Sequence, residues 1–176
     1  MTSPAQLSGH QPQSLEGQEF ALRFAEIVNG WAIPGAGPDA FEVVGNLIPL
    51  VIVLQVPGVL VPNNQCTLQI AYWPNWAGTP VVSGEWGDDH LLEGQGHDEG
   101  DLLIEGVALS PTECAEKAAA WIQVPAHRPL VRQDWIRKGK VIKSKWILDD
   151  TKTVVVSHQI IAMPIGALKL RTTRLR

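Results

Sequence analysis

Apolar residues recur along this chain with two periods, and the change of period separates its predicted helices from its predicted strands. From Gln18 to Asn29, Phe20, Phe24, Ile27 and Val28 fall with Ala21 on one face at i, i+4, i+7, i+8 spacing, while Glu19, Arg23 and Glu26 fall elsewhere. That spacing predicts an amphipathic helix over 18–29, closed by Gly30. The following WAIPGAGPDA is a Gly/Pro loop. Residues 41–86 are rich in Val and Ile but too often broken by Pro and Gly for a helix. They predict short strands around 41–45, 49–56, 66–73 and 80–86, with another over 101–108. Ser110, Pro111 and Glu113 then stand at the N-cap, first-turn and capping-box positions of a helix running from 111 to about 123.

Beyond that helix, residues 128–159 read as a three-stranded antiparallel meander. A two-residue turn at Lys138–Gly139 would set a register in which paired residue numbers sum to 277. Val131, Gln133, Trp135, Ile142, Ser144 and Trp146 then form the expected core face. On the other face Asp134 meets Lys143, and Arg132 meets Lys145, a like-charge pair that calls for an anionic cover. The final IIAMPIGALKLRTTRLR reads as a last strand or docking segment ending in a basic tail.

These elements predict an α+β fold: a single domain with two helices and a largely antiparallel sheet ending in a three-stranded meander. At 176 residues, 45% hydrophobic and 18% charged, the chain can bury one ordinary core. The expected organisation is a disordered lead-in over 1–17, one domain over 18–170 and a basic tail over 171–176. Helix-then-strand blocks begin near 18 and 111, but no residue-level repeat joins them. Residues 1–18 lack the basic and apolar parts of a secretory signal, and Leu47–Val61 is too short and too interrupted to cross a bilayer as a helix. Cys66 and Cys114 have no CxxC spacing, so a reducing cytoplasm is the expected compartment, with no membrane.

Charge changes this picture more than composition does. Residues 1–126 carry two basic side chains, Arg23 and Lys117, against fifteen acidic ones; residues 127–176 carry twelve basic against three acidic. Balances of −13 and +9 lie behind the net −4. The halves either neutralise one another in the fold or the basic one meets an external anion.

Candidate chemistry is sparse. GEWGDDHLLEGQGHDEGD, residues 84–101, places His90 and His97 among carboxylates, with Asp89 and Asp98 as the nearest metal-ligand set. Its spacing fits neither HExxH nor a calcium loop, so a mobile acidic loop is the simpler expectation. Trp73, Trp76 and Trp86 surround a turn marked by Pro74, Asn75 and Gly78, which can present Trp76 as a partner anchor. Trp31, Trp121, Trp135 and Trp146 are expected in the core. Cys114 sits in the first turn of a helix beside Glu113 and Glu116, which oppose thiolate formation, and no acid–base dyad or nucleophile elbow accompanies it. His127 and His158 are read as structural, and no cofactor motif is present.

The leading expectation is a non-enzymatic protein-interaction module, of the inhibitory (immunity) or phage-assembly kind. Its partner-binding residues are Trp73, Trp76, Trp86, Arg132, Lys143 and Lys145, and its partner is another protein or a second copy of the chain. The first alternative is a nucleic-acid binder using the basic third, although no helix-turn-helix, RRM or zinc-finger pattern supports it. The second is a metal-dependent enzyme using the acidic loop.

Overall fold

In the computed structural model, which describes residues 7–33, 40–46, 48–61, 64–88, 101–159 and 168–175, Ser14 opens the first helix. Its hydroxyl accepts a hydrogen bond from the Gly17 N–H at 2.9 Å, so α1 runs Leu15–Val28, a turn earlier than the apolar period alone predicts. Phe20, Ala21, Phe24 and Val28 are buried, as their spacing requires, and Asn29 rather than Gly30 caps the end. α2 spans Pro111–His127. Both halves of the Ser110/Glu113 capping box form, and burial of Cys114, Ala115, Ala118, Ala119, Ile122 and Ala126 carries the helix a turn past its predicted end.

Six strands make the first sheet: β1 (Ser8–Gly9), β2 (Phe41–Asn46), β3 (Leu50–Val61), β4 (Asn64–Trp76), β5 (Thr79–Asp88) and β6 (Leu102–Ile104). They lie in sequence order, with only the β1–β2 pair parallel. The strand expected over 101–108 stops at Ile104, and Gly106 follows at φ +70°, a backbone state that takes the chain out of the ladder. Alternation sends Leu50, Ile52, Leu54, Leu68, Ile70 and Tyr72 inward. There Phe20 of α1 stacks on Tyr72, ring centroids 4.3 Å apart at 11°. Trp121 of α2 lies against the β5 backbone at Gly84, where an added Cβ would come within 2.6 Å of its ring. Burying each of these large side chains contributes about 1.5–3 kcal/mol.

A second sheet holds β7 (Leu130–Arg137), β8 (Lys140–Leu148), β9 (Val154–Gln159) and β10 (Lys169–Arg174), all antiparallel, in the order β10-β7-β8-β9. The predicted meander is β7-β8-β9, and β10 returns to lie beside β7. Leu130, Trp146 and Leu148 join the helices and the first sheet in one core. The chain is therefore an α+β single domain, with two helices among the described residues. β1 and the start of α1 fall inside the stretch expected as a lead-in, and residues 171–174, expected as a tail, belong to β10. Among the described residues no helix is long and apolar enough to cross a membrane.

Candidate functional site

The basic hairpin β7–β8 turns at Lys138 and Gly139, both at positive φ (47° and 76°), as a two-residue turn demands. Next to the turn the predicted register holds, with Ile136 opposite Val141 and Arg137 opposite Lys140. The ladder then shifts by one residue between Trp135 and Ile136. Ile142 is the extra residue of this bulge, and every pair below it differs from the expected one. Trp135 lies opposite Lys143 rather than Ile142, Asp134 opposite Ser144 rather than Lys143, Arg132 opposite Trp146 rather than Lys145, and Val131 opposite Ile147 rather than Trp146.

A one-residue shift exchanges the faces of β7. Leu130, Arg132 and Asp134 join Ile142, Ser144, Trp146 and Leu148 on the inner face. Val131, Gln133 and Trp135 join Lys143 and Lys145 on the outer one. The anticipated conflict between Arg132 and Lys145 does not arise, because they occupy opposite faces. Trp135, expected in the core, is only half-buried, with the Lys143 and Lys145 ammonium groups 5.6 and 6.0 Å from its ring centroid.

On the inner face three donors converge on the carboxylate of Asp134, which is 1% exposed. Arg132 Nε and Ser144 Oγ each donate to Oδ1 at 2.7 Å, and Arg171 Nη2 of β10 donates to Oδ2 at 2.7 Å. The Arg132 guanidinium also lies 5.1 Å over the Trp146 ring. Burial pushes the carboxyl's pKa up, but the hydrogen bonds from Arg171, Ser144 and Arg132 outweigh it and hold the group below its usual range. His158 stands opposite Ser144 on β9, so Asp134, Ser144 and His158 occupy one rung. This is not a catalytic triad: the hydroxyl gives its proton to the aspartate, whereas a triad places the imidazole between the two.

Few carboxylates answer the basic half. Of the eleven described cations between 127 and 175, four (Arg128, Arg132, Lys152, Arg171) occupy Asp150, Asp134 and Asp149. That leaves seven without a carboxylate partner among the described residues: Arg137, Lys138, Lys140, Lys143, Lys145, Lys169 and Arg174. Four of them gather at the turn, where Ile136, Arg137, Lys138, Gly139, Leu168 and Lys169 line an open cleft of about 610 Å³. The other ion pairs between described residues, Arg23 with Glu26 and with Glu116, lie inside the acidic half. No ion pair between described residues joins the two halves.

The expected partner-binding residues divide between the sheets. Trp76, at a β4–β5 turn through Ala77 and Gly78, is 62% exposed, as its place at a turn suggested. Trp73 lies 6.3 Å from it and packs on Val51, Val53 and Ala71. Trp86 pairs with Leu68 through its backbone. His90, His97, Asp89 and Asp98 lie outside the described residues; among those described, no group of three or more His, Cys, Asp or Glu could hold a metal ion. Cys114 is fully buried, and burial pushes its thiol up to about 11, so it is no thiolate nucleophile at neutral pH. The Arg171–Asp134 contact escaped sequence reasoning. Its only sequence signal is the alternation of KLRTTR, which marks a strand without naming its neighbour. No known family, curated protein or solved structure matches this chain.

Proposed function

We propose that this protein is a non-enzymatic interaction module that binds an acidic partner protein through its four-stranded sheet. The observation that carries the reading is the set of seven cations without carboxylate partners among the described residues, concentrated at the β7–β8 turn and on the face of Trp135. Unpaired like charges held on one rigid sheet repel each other, and a complementary surface relieves that repulsion while speeding encounter. The same cations suit a nucleic acid. However, the aromatic on this face has its ring beside two ammonium groups, whereas single-strand platforms use open rings for base stacking.

The reading is tested by titrating poly-L-glutamate and, separately, single-stranded DNA of equal charge into the protein at low ionic strength. Saturable binding to poly-L-glutamate, at least as tight as to DNA and weakened about tenfold or more by Lys143→Glu with Lys145→Glu, is the expected result. Tighter binding to DNA at every salt concentration would replace this reading with the nucleic-acid one. Absence of binding to either polymer would remove both.

A further inference from the structure

Two kinds of Arg–Asp contact occur in the basic half, and their difference marks a second feature of the sheet. Arg128 meets Asp150 edge to edge, Nε on Oδ2 and Nη2 on Oδ1, both at 2.9 Å. That pair is bidentate and electrically balanced. Asp134 instead holds two arginines, each by one of its oxygens: Arg132 through Nε and Arg171 through Nη2. The cluster therefore carries one positive charge in excess. Arg132 is further occupied by Ser144 and by the Trp146 ring. Arg171 is not: its side chain is 56% exposed, and its Nε and Nη1 have no partner among the described residues. Lys169 stands two residues along β10, on the same face at about 7 Å, and it too lacks a carboxylate partner among the described residues.

We propose that Arg171, held in place by Asp134 and flanked by Lys169, is an anchoring site for a single carboxylate of the acidic partner. The inference rests on the acidic-partner reading above and adds a contact on the face of the sheet opposite to Lys143 and Lys145. A guanidinium already pinned at one nitrogen has lost most of its side-chain freedom, so its remaining N–H groups meet a planar oxyanion at low entropic cost. Asp134 lies next to the incoming group and repels a dianion more than a monoanion, which favours carboxylate over phosphate.

The test follows the arginine Nε–Hε resonances by NMR during titration with a capped tri-glutamate peptide and, in parallel at equal ionic strength, with inorganic phosphate. The Arg171 resonance should shift saturably with the peptide and more weakly with phosphate, while that of Arg128, closed on Asp150, stays in place. Arg171→Lys keeps the charge but loses the planar donor set; with an otherwise unchanged amide spectrum, it should weaken the peptide about tenfold. The proposal is overturned if Arg171 moves no more than Arg128, if phosphate is preferred, or if Arg171→Lys binds as wild type does. Such a failure stays separate from that of the parent reading. Poly-L-glutamate binding that still depends on Lys143 and Lys145 would leave the acidic partner standing without this anchor.

Discussion

Asp134 shows what one side chain contributes here. A buried carboxylate is costly unless its oxygens are satisfied, and at 1% exposure this one is held by Arg132, Ser144 and Arg171 on three strands. Asp134→Asn should therefore destabilise the fold by about 3 kcal/mol at neutral pH, read by denaturant unfolding. Since the folded carboxyl sits below its usual range, the unfolded chain takes up the proton first. The stabilisation is complete above the ordinary aspartate value of about 4 and is lost as pH falls through the depressed folded value. The gap between wild type and Asp134→Asn should accordingly close in acid; a gap of constant size from pH 7 to pH 3 contradicts this account. Cys114 offers a second check at this scale. With its thiol pushed up to about 11 by burial, it should resist iodoacetamide at pH 8 in the native protein and react at the ordinary rate once unfolded. Peptide-resolved mass spectrometry would detect rapid native labelling, which would show the helix interface to be open. Neither environment could be read from residue order alone. Arg171 is 37 residues from Asp134, and only the return of β10 brings them together.

At the scale of elements, legibility followed how local the determining interaction is. The Ser110 capping box and the Lys138–Gly139 turn each lie within four residues of chain, and both form as their residue types require. The β7–β8 bulge depends on something non-local. Ile142, Ser144, Trp146 and Leu148 face inward together, and the shift is what seats Leu130 beside Leu148 in the core. The two faces of β7, Leu130/Arg132/Asp134/Ile136 and Val131/Gln133/Trp135/Arg137, are equally mixed in polarity, so periodicity could not choose between the registers. The start of α1 is an exception: the Ser14–Gly17 cap that fixes it is local, but the buried apolar face from which the helix is read begins only at Phe20. Helix–sheet packing was equally hidden. Gly84 reads in the sequence as one more interruption, but its missing side chain is what lets the Trp121 ring approach β5. Gly84→Ala should cost about 1–3 kcal/mol in denaturant unfolding. Combining it with Trp121→Ala should recover part of that loss, since the two positions share one space. Additive losses would show that the strand, not the ring, is intolerant of the methyl group.

For the molecule as a whole, the division of charge was legible by counting, but its consequence was not. Neutralisation of one half by the other was one of the two outcomes it allowed. In the described residues the ion pairs instead stay within each half, because Asp134, Asp149 and Asp150 are each taken by arginines or lysines close at hand. Among the described residues the basic sheet thus keeps its surplus at the hairpin turn and around Trp135. The acidic stretch that includes Asp89, His90, His97 and Asp98 lies outside the described residues, so its carboxylates enter the account only as competitors for those lysines. A zero-length carbodiimide cross-link between lysine amines and carboxylates decides the competition most directly. Performed in the native host and read by mass spectrometry, it should join Lys143, Lys145 or Lys138 to aspartates or glutamates of one acidic protein, and lose those links in raised salt. Links from these lysines only to carboxylates of their own chain would contradict the account and establish internal neutralisation in its place.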